Sequence, residues 1–340
     1  MAKKEKSIMR QETVSRFVLP DGAEFRGIDV KDGIFSVLYV EKKVYVMDLC
    51  DFYRDILIKE YGNSLACELE TGLNAKKMVT LRANRLKSSV REIEVILDNE
   101  KILYDKVDWY EDAFILKDCK EDAIYNLEIY KEGEIYLQSL SSMIPPVVLE
   151  PKEGDNILDM AAAPGGKTTQ IASITGNKAF ITACERNKIR GEKLKFNLEK
   201  QGAKSTNVML EDARNLSDYF SFDKILLDAP CSGSGTDNVF KKNFTLELIE
   251  KSSKTQITLL KKALKILKPG GVMVYSTCSI LRKENEDILR KVLKEENASI
   301  VPIKLSKTIP TLPVTLDGTI CVKPNNLYEG FYVAKIIKNK

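Results

Sequence analysis

Histidine is absent from all 340 residues. That excludes a serine–histidine triad and leaves acid–base chemistry to carboxylates, lysines, tyrosines, cysteines or water. The seven cysteines stand at positions 50, 67, 119, 184, 231, 278 and 321, and no two have a CxxC spacing, so no zinc or other metal site is expected. No apolar run approaches the ~18 residues of a membrane span and no secretory signal is visible. A cytoplasmic protein with free thiols and no membrane partner is the expectation. An excess of one sign of charge is also lacking, since 53 Lys and Arg face 49 Asp and Glu for a formal net charge of only +4, which favours a nucleic-acid partner weakly. Hydrophobic content of 44% with 30% charged residues fits a folded globular chain.

What is present divides into three stretches, 1–48, 49–137 and 138–340. The first reads as short strands, with Asp32-Gly33 as a hairpin signal inside Val30–Val37 and Glu41-Lys42-Lys43 bracketed by Leu38–Met47. No chemistry attaches to it. In the second, Phe52–Leu73 reads as one helix ending near Gly72. Met78–Lys87 reads as a strand carrying Arg82, Arg85 and Lys87, Ser88–Leu97 as a helix, and Val107–Tyr110, Phe114–Leu116 and Ile124–Tyr130 as strands. This is a small α+β unit. From Asn156 onward, short apolar runs (Asn156–Met160, Ala179–Glu185, Thr206–Leu210, Asp223–Asp228, Val272–Ser276) alternate with helical patterns such as Lys188–Gln201 and Leu246–Leu267. That alternation predicts an α/β fold with a parallel sheet and crossover helices.

The run Ile157-Leu158-Asp159-Met160 leads into Ala161-Ala162-Ala163-Pro164-Gly165-Gly166-Lys167-Thr168. Small residues let a ligand approach the backbone, and the helix that follows offers unpaired N–H groups. A phosphate loop needs a glycine where Ala161 stands, which argues against ATP. Glu185 closes the second strand, where a carboxylate accepts from ribose hydroxyls, and Asp212 closes the third, within reach of an adenine amino group. Taken singly each is an ordinary polar strand end; as a series after a Gly-rich turn they point to a nucleoside. Asp228-Ala229-Pro230-Cys231-Ser232-Gly233-Ser234-Gly235 follows the fourth strand and Tyr275-Ser276-Thr277-Cys278-Ser279 ends the fifth. A free cysteine is usually a small buried hydrophobe, and positions 50, 67, 119, 184 and 321 take that reading. Cys231 and Cys278 escape it because both lie in polar, turn-forming strand ends.

DMAAAPGGKT, DAPCSGSG and YSTCS together resemble, in kind, order and spacing, the RsmB/Nop/Sun family of S-adenosylmethionine-dependent RNA 5-methylcytosine methyltransferases. The resemblance runs from about Met78 onward and includes Leu81–Lys87, Gln138–Ser142 and Glu329–Ala334. It implies a Rossmann-like class I methyltransferase sheet of seven strands, with 49–137 as an RRM-like RNA-binding domain. It implies that S-adenosylmethionine is held by Ala161, Ala162, Ala163, Pro164, Gly165, Gly166 and Lys167, by Glu185 at its ribose, by Asp212 near its adenine, and by Arg190 and Asp228. Cys278 would be the nucleophile, Cys231 would help release the product, and Asp228 and Lys167 would line the base pocket. RNA is the implied partner, ribosomal before transfer RNA, with no obligatory protein partner. Residues 1–48 match no element of the family, and Thr236–Asn243 carries lysines where relatives have a basic stretch containing proline.

The chemistry agrees with those roles. Carbon 5 of cytosine is a poor nucleophile; a thiolate adding to C6 makes C5 electron-rich. A hydrogen-bond donor is then needed at N3, and Asp228, with an unperturbed pKa of about 3.9, supplies it only if burial or cytosine binding raises that value. The base must be unstacked, and Arg82, Arg85 and Lys87 are candidates for backbone contacts. Three alternatives compete: a DNA cytosine-5 methyltransferase with Cys231 as nucleophile, an amino-directed methyltransferase needing no thiol, and a non-catalytic RNA-binding assembly factor.

Overall fold

The computed structural model describes residues 27–31, 34–38, 43–44, 51–241 and 243–340. The chain forms two compact units, Met1–Asp48 and Leu49–Lys340. In the first, β1 (Gly27–Lys31), β2 (Ile34–Leu38) and β3 (Lys43–Val44) form an antiparallel sheet. Lys31 pairs with Ile34, the register a two-residue connection imposes. Asp32, Gly33, Glu41 and Lys42 themselves lie outside the described residues.

The second unit opens with two helices, α1 (Asp51–Tyr61) and α2 (Asn63–Asn74), where periodicity alone suggested one. The break is Gly62, whose φ of 81 and ψ of 162 no helix accommodates. Next come β4 (Val79–Ala83), α3 (Val90–Asn99), β5 (Tyr104–Lys106), β6 (Ala113–Leu116), the short α4 (Glu121–Tyr125) and α5 (Glu128–Lys131), and β7 (Ile135–Leu137). The antiparallel order β5-β6-β4-β7 is that of a split βαβ sheet. Helix α3 begins with a complete capping box between Ser89 and Glu92. The stretch Ile124–Tyr130, read from sequence as a strand, lies in the two short helices, and the strand after them, Ile135–Leu137, went unread.

The large sheet is built from β8 (Asn156–Asp159), β9 (Phe180–Cys184), β10 (Thr206–Met209), β11 (Phe222–Asp228), β12 (Leu267–Thr277), β13 (Ala298–Val301), β14 (Thr311–Leu312), β15 (Ile320–Val322) and β16 (Phe331–Lys338). Its order is β10-β9-β8-β11-β12-β16-β15-β14, with β13 also on β16. The first five are parallel, and β16 runs antiparallel to β12. The sheet thus has nine strands where seven were expected, the extra ones being too short to show a period. It is covered by α6 (Leu140–Leu149), α7 (Gly166–Ile174), α8 (Lys188–Gln201), α9 (Leu246–Ile266) and α10 (Glu286–Glu295), together with α1 and α2.

Alternation along the strands divides the core. Ile225, Leu227, Met273 and Tyr275 face one side with α9, α10, α1 and α2, whereas Leu226 and Val274 face the other with α6, α7 and α8. Each fully buried Leu or Ile contributes about 1.5–3 kcal/mol, so both layers bind firmly to the sheet. Helices α1 and α2 share the core of the large sheet, while the small sheet keeps its own around Leu81, Ile93 and Phe114.

Candidate active site

Strand order reverses between β8 and β11, so their carboxyl ends open a crevice at the point where α/β folds bind ligands. The crevice is lined by Ala161, Ala162, Ala163, Pro164, Gly166, Lys167 and Asp228, all expected from the sequence. It is also lined by Asp159, Ser142 and the small-sheet segment Tyr136–Ser139, which were not. Gly165 caps α7 with φ 110, and a Cβ on Gly166 would stand 3.2 Å from the Tyr136 ring. Glycine at both positions leaves the first turn of α7 closely approachable.

Lys167 Nζ lies 2.7 Å from Asp228 Oδ2 and donates to Ser142 Oγ at 2.8 Å. Ser276 Oγ donates to Asp228 Oδ1 at 2.8 Å. Burial works against the Lys167 charge, but Asp228, Asp159 and Cys278 outweigh it and its pKa stays above the ordinary value. Asp159 is 1% exposed, accepts from Thr168 Oγ1 at 2.7 Å, and is pushed up to about 6, chiefly by burial.

The two thiols meet. Cys231 Sγ and Cys278 Sγ are 3.2 Å apart at the ends of adjacent strands. The hydrogen bond with Cys278, then burial, raises the Cys231 pKa well above the ordinary value, and either sulfur can be the donor between them. Beneath them sits Glu284, fully buried. It accepts from Ser232 N at 2.8 Å, Ser232 Oγ at 2.6 Å and Ser279 Oγ at 2.7 Å, and burial raises its pKa. Gly235 N donates to Cys278 O at 2.9 Å, and Gly330 N donates to Gly235 O at 2.7 Å, which links DAPCSGSG, YSTCS and the C-terminal EGFYVA. Sequence reasoning missed Glu284 because it carries no motif of its own; Ser279 is five residues away, but the partner that gives it a place at the thiols, Ser232, is 52 residues away. Asp159 had a signal, since it stands inside the quoted loop motif.

The remaining candidates surround the crevice without lining it. Glu185 is 4% exposed, accepts from Asn187 N at 2.8 Å, and lies 3.5 Å from Arg190. Arg190 Nη2 also donates to Ala163 O at 2.8 Å and so braces the loop. Both Asp212 oxygens accept from Arg214, at 2.9 and 2.5 Å, which lowers its pKa.

Two sequence readings are corrected. Arg82 cannot touch RNA: it is fully buried and donates to Gln138 Oε1 (2.9 Å), Thr169 Oγ1 (2.6 Å) and Gly166 O (3.2 Å). Arg85 pairs with Asp112 and Glu111, while Lys87 is exposed and donates to Glu132 O at 2.7 Å. Cys67 is exposed and Cys119 half-buried, unlike the buried Cys184 and Cys321; Cys50 lies outside the described residues.

This geometry has known counterparts. A family model described as 16S rRNA methyltransferase RsmB/F matches residues 146–337. A tRNA (cytosine(49)-C(5))-methyltransferase of Pyrococcus abyssi is 37% identical over 278 residues, 76% of this chain and 88% of that protein. Ribosomal RNA small subunit methyltransferase F of Shewanella amazonensis is 34% identical over 307 residues, 83% of this chain, and the chain spans only 64% of its length. The crystal structure of NSun6 from Pyrococcus horikoshii with SFG superposes with a TM-score of 0.79 at 25% identity, covering 87% of this chain and 100% of that one. With a family match over more than half its length and a crevice built from that family's motifs, the chain belongs to the RsmB/F family of methyltransferases.

Proposed function

We propose that this protein methylates carbon 5 of cytosine in RNA, in the cytoplasm, with S-adenosylmethionine as donor and Cys278 as nucleophile. The observation that carries the reading is the pair of sulfurs 3.2 Å apart at neighbouring strand ends. An amino-directed methyltransferase has no use for such a pair.

The crevice suits the cofactor. Its loop wall is mostly alanine and glycine, and the buried Glu185 carboxylate closes the adjacent strand, with one oxygen on Asn187 N and the other 3.5 Å from Arg190. Ala161–Lys167 would hold the ligand, with Glu185 at the ribose, Asp212 near the adenine and Arg190 bracing the loop. Bound there, S-adenosylmethionine supplies an electrophilic methyl group.

The protein's own groups do the rest. Cys278 adds to C6 of an unstacked cytosine, and negative charge develops toward N3. The donor that N3 needs comes from the pair of Asp228 and Lys167, 2.7 Å apart. Lys87, exposed a few residues beyond β4, contacts the RNA backbone.

Ribosomal RNA is the first target. Transfer RNA is the second reading, favoured by the Pyrococcus abyssi relative, whose length this chain nearly spans. Single Cys→Ala variants incubated with RNA and labelled cofactor test the chemistry: Cys278→Ala loses methylation, while Cys231→Ala accumulates a covalent RNA adduct. The reverse pattern assigns attack to Cys231 and sinks the proposal. Bisulfite sequencing of total RNA from a deletion strain identifies the target.

A further inference from the structure

Glu284 is the one buried carboxylate that touches both loops bearing the thiols, and the assignment of the thiols leaves it without a role. It is 0% exposed and meets no cation within ion-pair distance among the described residues. A charge-capable group so placed is costly unless its hydrogen bonds are complete. Three of the hydrogen bonds that its carboxylate accepts come from residues adjacent to a thiol, two from Ser232, beside Cys231, and one from Ser279, beside Cys278; Gln256 is a further partner.

The two loops depend on it unequally. The Cys278 loop is also fixed by the β12 ladder, by Asn285 Nδ2 donating to Ser279 O at 2.9 Å, and by Thr277 Oγ1 donating to Asn285 Oδ1 at 2.6 Å. The Cys231 loop follows β11, beyond its ladder. It is held at Pro230 O by Gln256 (2.9 Å) and at Ser234 O by Tyr53 (2.5 Å), but at Ser232, next to the thiol, by Glu284. We propose that Glu284 is a positioning residue that sets Cys231 against Cys278, and that it serves the release step rather than the attack.

This rests on the reaction proposed above. In release, Cys231 hands its thiol proton to the departing Cys278 sulfur, 3.2 Å away, as it takes the proton from C5. The C–H pair forms the C5–C6 double bond, and the C6–S bond breaks with its electrons returning to Cys278. A displaced Cys231 leaves attack and methyl transfer intact and stalls that last step.

The experiment compares Glu284→Ala, Glu284→Gln and Ser232→Ala. Glutamine can accept from Ser232 N–H through its oxygen and donate to both serine hydroxyls, so it should preserve turnover within about twofold. Alanine leaves three donors unpaired; the expected result is a turnover loss of about tenfold or more, with RNA adduct accumulating on denaturing gels and cofactor affinity unchanged. Should Glu284→Ala fail to fold, Ser232→Ala gives the same adduct signal at smaller amplitude. Equal loss of adduct and product in Glu284→Ala, or no adduct in Ser232→Ala, overturns the proposal. Peptide-mapped iodoacetamide labelling gives a readout independent of RNA chemistry: alkylation of Cys231 accelerates in Glu284→Ala while that of Cys278 stays constant. That result with no methylation by the wild type would refute the proposed reaction and leave the positioning role standing; equal acceleration at both thiols refutes the positioning role.

Discussion

At the residue scale, burial sets the behaviour of the site's carboxyls. Asp159 has an ordinary pKa of 3.8 and is pushed up to about 6 by desolvation, because its two hydrogen bonds do not replace the water it lost. A raised folded-state pKa means the native protein holds a proton that the unfolded chain has released. Stability from this residue is therefore full below 3.8 and declines as pH rises toward 6. Asp159→Asn should flatten that decline; denaturant melts of both proteins at intervals across the window read it directly. Identical slopes would mean that Asp159 is ionised throughout.

The scale of elements explains glycines that composition leaves mute. Gly235 belongs to the DAPCSGSG loop, and a Cβ there would stand 2.1 Å from Gly330 O. The two backbones touch because Gly235 bonds both to Cys278 and to Gly330, so β16 closes against the thiol loops. Gly235→Ala has no flexible side chain to displace; it should cost about 1–3 kcal/mol. A drop in denaturant midpoint with unchanged slope checks this. The same scale shows where periodicity sufficed. Helix α8 runs over Lys188–Gln201 as read, since Asn187 caps its start and Gly202, at φ 71, ends it. Ile124–Tyr130 misled because an apolar run that short fits a strand or a buried helical turn equally.

For the second unit as a whole, the small sheet and the cofactor loop are joined through Arg82. Its guanidinium leaves the small sheet, meets Gln138, and reaches Gly166 and Thr169 at the start of α7. Gln138 continues the chain by donating to Ser142 O at 3.1 Å, and Ser142 Oγ receives Lys167. The sheet face that bears Thr80 and Arg82 is therefore sealed against the catalytic body. Arg82→Ala strands at least two buried acceptors and should destabilise the protein by about 2–4 kcal/mol. Thermal melts measure that loss, and calorimetry should show weaker S-adenosylmethionine binding as well. A stable variant with full cofactor affinity would mean that the two parts are held elsewhere.

The sequence by itself determined the parallel sheet, the Gly-rich loop and both thiols, because strand periodicity, helix caps and turn residues are written within a few positions of one another. Tertiary structure decided which groups meet: that Arg82 is buried, that Lys167 neutralises Asp228, and that Glu284 bridges two loops 47 residues apart at their cysteines. Such contacts depend on how the chain returns to the same place, and local pattern carries no record of distance in space.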